Sequence, residues 1–208
     1  MRTPWIVGVS GASGTPYARA VLNGLLDAGA PVDVVISRAA RLTLLDETGL
    51  AFRDAHWHDD LAAWLGRDAS DVAYWSAGDL AAGPASGSYP SLGMVVVPAS
   101  TASVAGIAIG LSKDLLQRAA DVTLKERRPL VVVPREAPYT RSTLQHMLAL
   151  HDAGAVVVPA SPGFYGAPTT VQQLVDFVAG KVLDVLGVKH DLLTRWTGEL
   201  GAAREDRG

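Results

Sequence analysis

Short runs rich in β-branched residues recur along the chain at Trp5 to Ser10, Val32 to Ser37, Met94 to Pro98, Leu130 to Pro134 and Ala155 to Pro159, and helical spacing fills most of the intervals. Strands that are apolar throughout need cover on both faces. Alternation with helices joins them in parallel, because a parallel pair requires a crossover of a dozen or more residues. The pattern predicts an α/β fold: a three-layer, doubly wound, mostly parallel sheet of the Rossmann-like or flavodoxin-like kind. Helices are expected over residues 15–29, 38–48, 113–126, 142–153 and 170–187. Residues 49–92 are the least regular and end in AAGPASGSYPSLG, which reads as a loop over a site or at a contact.

With 208 residues, 49% of them apolar and 19% charged, there is material for one core and no linker to divide it. Residues 1–200 are expected to form a single domain and 201–208 a frayed tail. The net charge of −3 argues against a general nucleic-acid binder. Apolar runs fall far short of the roughly 20 residues a spanning helix needs, and the start MRTPWIVGVSGASG lacks a signal-peptide core, so the expectation is a soluble cytoplasmic protein with no membrane partner. Zero cysteines exclude disulfides, thiolate catalysis and cysteine metal sites.

In a doubly wound sheet, ligands bind beyond the carboxyl ends of the strands, where strand order reverses. Those ends carry Ser10-Gly11-Ala12-Ser13-Gly14, Ser37, Ser100-Thr101-Ala102-Ser103, Arg135-Glu136 and Ser161 to Tyr165. The glycine-rich turn can present backbone amides to an anion, yet it is neither the Gly-x-Gly-x-x-Gly fingerprint nor a Walker loop. A dinucleotide site would carry an acid after the second strand, where this chain has Ser37 and Arg38. Each hydroxyl on its own is also read as a helix cap. Together they favour a phosphate-bearing mononucleotide, FMN over NAD.

The segment LKERRPLVVVPRE places charges on both sides of a buried run. In the helix before it, Arg118, Asp121 or Val122, and Lys125 share a stripe, which a solvated ion-paired face also explains. A right-handed crossover leaves Lys125 and Arg135 at opposite edges of the sheet. If both serve one ligand, Lys125 must come from a neighbouring chain and the active sites must lie between subunits. His56-Trp57-His58-Asp59-Asp60 can ligate a metal, but without further spaced ligands it reads as a polar loop.

The segments SGASGTPYA, VISRAA with Glu47-Thr48 behind it, PASGSY, VVPASTASVAGIAIG, DLLQRAADVTLKERRPLVVVPREAP, LHDAGAVVVPASPGFY and LVDFVAGKVLDVLGV resemble the UbiX-type flavin prenyltransferases, in order and spacing, over residues 5–196. The resemblance implies a homododecamer with interfacial active sites. Such an enzyme joins a dimethylallyl group from dimethylallyl phosphate to N5 and C6 of reduced FMN, without a metal. The product, prenylated FMN, goes to UbiD-type decarboxylases. It implies flavin contacts at Gly11, Ala12, Ser13, Ser37, Ser100, Thr101, Ala102, Ser103 and Arg135. The donor phosphate would be held by Ser86, Arg118, Lys125, Arg135, Tyr165 and Lys181. Ser13, Glu47, Glu136 and Trp196 would act at the reacting atoms, the carboxylates handling protons and the indole facing the prenyl group. The chain departs from the common pattern at Gly166, Ala99, Lys181 and Leu80, which bears on the prenyl pocket and on mono- against diphosphate donors. Alternatives are a non-catalytic FMN carrier and an FMN-dependent decarboxylase, although the Pro-x-Met-Asn-x-x-Met-Trp segment of cysteine decarboxylases is absent.

Overall fold

The computed structural model describes residues 2–195. Six strands, β1 Trp5–Val9, β2 Val32–Ile36, β3 Val72–Ser76, β4 Gly93–Ala99, β5 Leu130–Pro134 and β6 Val156–Val157, form one sheet in the order β3-β2-β1-β4-β5-β6. Every neighbouring pair is parallel. The order reverses between β1 and β4, so a crevice opens beyond their carboxyl ends.

The helices are α1 Thr15–Asp27, α2 Arg38–Thr48, α3 Trp57–Leu65, α4 Thr101–Ala108, α5 Leu115–Lys125, α6 Arg141–Asp152 and α7 Val171–Leu186. Period-2 alternation sends Val7, Val95 and Val131 into one core with α1, α2, α3 and α7. It sends Ile6, Val96 and Val132 into a second core with α4, α5 and α6. Consequently α5 and α7 lie on opposite faces of the sheet. Among the described residues no helix is long and apolar enough to cross a membrane.

The sheet and its two helical layers match the sequence expectation, with all pairs parallel rather than most. Three elements were not expected. In α3, Trp57, Leu61, Trp64 and Leu65 recur at helical spacing and three of the four are buried, so the His56 to Asp60 stretch is helical rather than a polar loop. Its Asp60 accepts from Arg53 at 2.6 and 3.0 Å and from the Arg53 amide at 2.8 Å. Strand β3 is an edge strand, and α4 is built from small residues with little polar contrast. The Lys125 pairing also differs from the ion-paired stripe: Arg118 binds Asp121 at 2.8 Å, Val122 is buried, and Lys125 pairs with Glu126.

Pro98 interrupts the register of β4, where pairing with β5 shifts between Val96 and Ala99. A proline lacks the ladder donor and is tolerated in a central strand at such an irregularity. Ser10 Oγ donates to Pro98 O at 2.9 Å and accepts the Ser100 amide at 2.7 Å, which ties the two strand ends lining the crevice.

Candidate active site

Beyond β1 the chain turns through Ser10 to Gly14 into α1, and Gly14 takes a φ of 117°, which side chains disfavour. Glu47, in the last turn of α2, receives the Gly14 amide at 2.8 Å, the Thr15 amide at 2.8 Å and the Thr15 hydroxyl at 2.6 Å. It caps α1 from another helix, satisfying amides that have no carbonyl one turn back. Arg135, just past β5, donates Nε to Ser13 O at 3.0 Å. Ser13, Glu47 and Arg135 thus converge at the crevice.

Burial pushes the Glu47 carboxyl up, but hydrogen bonds from Thr15, Ser13 and the two amides outweigh it and hold the group below its ordinary range. A carboxyl lowered on folding contributes stability that is full above its unfolded pKa, about 4.3, and is lost as pH falls through the folded value. Glu47→Gln is expected to cost about 1 kcal/mol near neutral pH, the scale of a lost cap. Denaturant melts should show the gap from wild type narrowing as pH falls from about 6 to about 3. A gap that widens in acid would contradict this reading of the cap.

The crevice hydroxyls hold two positions at once. Ser37 Oγ accepts the Ala40 amide at 3.1 Å and caps α2. Ser100 Oγ accepts the Ser103 amide at 3.2 Å and caps α4, whose Thr101 and Ala102 amides have no carbonyl one turn back in the helix. Both cap readings hold, and both caps aim a helix amino end at the crevice, a donor set that fits a phosphate.

A second group lies on the α5 flank. The strap from Ala82 to Leu92 runs along α5: Arg118 Nε donates to Ala85 O at 3.1 Å, and Arg128 donates to Gly87 O at 2.9 Å and Tyr89 O at 2.8 Å. A Cβ on Gly87 would stand 2.6 Å from Lys125 Nζ. Ser86, exposed and joined to Ser88 at 2.9 Å, is therefore gathered with Arg118 and Lys125. The Gly/Pro/Ser-rich segment is this strap.

The third group is on α7. Tyr165 meets Phe177 edge-on at 5.5 Å, and Lys181 follows Phe177 by four residues, one turn along the same face. Glu136 is exposed beside Arg135 and accepts the Ala137 amide at 3.0 Å. Gly11 and Ala12 lie in the crevice turn, and Trp196 lies outside the described residues. The phosphate-binding candidates therefore fall into three places in one chain: Arg135 at the carboxyl edge, Ser86, Arg118 and Lys125 on one face, and Tyr165 and Lys181 on the other. Lys125 and Arg135 sit at opposite ends of β5, about 16 Å apart along a five-residue strand. Among the described residues no group of three or more His, Asp or Glu is placed to hold a metal ion.

Sequence reasoning passed over Thr15, Asp33, Asp184 and His190. Asp33 alone carried a visible signal, a charge inside an apolar run.

The crevice of helix caps at the β1/β4 reversal offers donors that fit a phosphate, and residues 1–183 match the family model described as Flavoprotein. The chain is a flavoprotein by class. Over 97% of its length it is 66% identical to 98% of a protein of Streptomyces coelicolor named flavin prenyltransferase UbiX. The crystal structure of AnUbiX in complex with FMN and dimethylallyl pyrophosphate superposes with a TM-score of 0.84 at 33% identity, covering 96% of this chain and 100% of that one. A dodecameric FMN-dependent UbiX-like decarboxylase from Escherichia coli O157:H7 gives 0.84 at 38% identity, covering 94% and 100%. The chain belongs to the UbiX flavin prenyltransferase family.

Proposed function

We propose that this chain joins a dimethylallyl group from dimethylallyl phosphate to N5 and C6 of reduced FMN, releasing phosphate, and that the prenylated flavin serves a UbiD-type decarboxylase. The observation that carries this reading is the convergence of Ser13, Glu47 and Arg135 where the strand order reverses. Reduced FMN is the acceptor and supplies the nucleophilic ring atoms. The chain does the rest. Gly11, Ala12, Ser13, Ser37, Thr101, Ala102 and the Ser100 and Ser103 hydroxyls orient the flavin in the crevice.

Cleavage of the allylic C–O bond sends its electron pair to phosphate, so fixed cations there favour departure of the leaving group. Arg135, Lys125, Lys181 and Arg118 supply that charge, with Ser86 and Tyr165 as neutral donors. Glu47, held ionised by its cap position and so a weak base, orients the Ser13 loop; Glu136, exposed beside Arg135, is the carboxylate placed to accept protons. Trp196 offers a quadrupole to the cationic carbon. Lys181 brings charge without the planar fork of arginine. No metal is assigned a part.

The three separated groups meet on one phosphate when subunits associate, so the working form is a homo-oligomer with interfacial sites, a dodecamer by likeness to the Escherichia coli protein. The test is anaerobic incubation of purified protein with reduced FMN and dimethylallyl phosphate, with mass spectrometry of the released flavin. A flavin heavier by one C5H8 unit is expected. Unmodified FMN that stays bound with either the mono- or the diphosphate donor would instead identify a carrier.

A further inference from the structure

After α7 the chain turns at Gly187 and folds back over the helix, and this return arm is fastened at one carboxylate. Asp184 Oδ1 lies 3.2 Å from His190 Nε2 and 2.9 Å from Arg195 Nη2, and its Oδ2 lies 3.6 Å from Lys181 Nζ. The His190 side chain is 3% exposed. Its Nδ1 accepts the Leu192 amide at 3.2 Å, so the ring proton sits on Nε2 and is donated to Asp184. The arm lies directly on the helix backbone: a Cβ on Gly180 would stand 2.6 Å from Leu193 Cδ2 and 2.9 Å from His190 Cε1. Burial pushes the Asp184 carboxyl up, and the hydrogen bonds from Arg195 and His190 outweigh it, keeping the group ionised at neutral pH.

We propose that Asp184 is a positioning residue for the donor phosphate site, fixing the arm 190–195 on α7 through His190 and Arg195 and holding Lys181 in place one helical turn away. The inference rests on the proposed role of Lys181. A lysine has a flexible stem and costs conformational entropy to order, so a side chain required to meet a phosphate gains from being held in advance. The carboxylate does this at a spacing of three residues, on the same face of α7. Asp184 touches neither donor nor flavin in this scheme. Its loss therefore weakens donor binding and leaves the chemical step in place.

The test compares Asp184→Ala and the shape-conserving Asp184→Asn with wild type. The expected result is a KM for dimethylallyl phosphate raised about tenfold in Asp184→Ala and less in Asp184→Asn, with kcat within about twofold and FMN titration unchanged. Trypsin should cut after Arg195 faster in Asp184→Ala than in wild type, a readout of the arm that needs no prenyl transfer. An unchanged KM, or unchanged cleavage at Arg195, overturns the proposal. Should Asp184→Ala fail to fold by circular dichroism, Asp184→Asn carries the test with the same signs. A wild-type protein that transfers no prenyl group would remove the proposed function instead, and the trypsin comparison would still decide whether the arm is clasped.

Discussion

Arg135→Ala protein is expected to lose at least about a hundredfold in kcat/KM for dimethylallyl phosphate, the scale of removing one fixed donor from a developing anion. Two effects add. The guanidinium proposed to meet the phosphate is gone, and the Ser13 carbonyl loses the Nε donor that fixes the crevice turn at 3.0 Å. Arg135→Lys should recover little, because an ammonium reproduces the charge without a planar fork able to hold Ser13 O and a phosphate oxygen together. Steady-state kinetics with flavin binding measured alongside check this. A loss below about tenfold would remove Arg135 from the site.

Asp33→Ala is expected to give the largest loss of stability, about 3–5 kcal/mol, since a buried charge network is broken from its centre. Asp33 has no exposed surface and accepts from Arg2, from Trp75 Nε1 at 2.9 Å and from the Tyr89 hydroxyl at 2.6 Å. Burial, and next the Asp33 carboxylate, push the Tyr89 hydroxyl up to about 12, so it stays a donor through neutral pH. Arg2 is partly exposed and can turn to water, which favours the lower half of that range. Tyr89→Phe removes one bond and should cost about 1 kcal/mol. Denaturant unfolding with an unchanged slope measures both; a cost for Asp33→Ala below that of Tyr89→Phe would contradict the network.

The sheet was legible because β1, β4 and β5 are apolar throughout, β2 is apolar but for Asp33, all four end in Ser, Pro or charge, and α2 spans the residues its spacing predicts. The short edge strand β3, VAYWS, is half-buried and has no such contrast. In α3 the histidines and aspartates read as a polar loop and hid a plain helical period, and α4 is nearly all small residues. The site was less legible for a topological reason. Arg135 meets Ser13 across 122 residues, and the partners of Asp33 lie 31, 42 and 56 residues away. No local spacing reaches so far, and only sheet order brings these groups together. The resemblance supplied the residue types, whereas the opposite placement of Lys125 and Lys181 came from the division of the two cores.

That division is the basis for a site shared between subunits, and subunit mixing tests it most directly. Lys125→Ala and Arg135→Ala chains, each nearly inactive alone, would be coexpressed with different tags and the mixed oligomer purified through both. If each phosphate is held by Lys125 of one chain and Arg135 of another, random mixing restores both residues at about a quarter of the sites, and prenyl transfer returns to about that fraction of wild type. Mixed oligomers no more active than either parent would place both residues on the same chain's ligand and contradict the shared site.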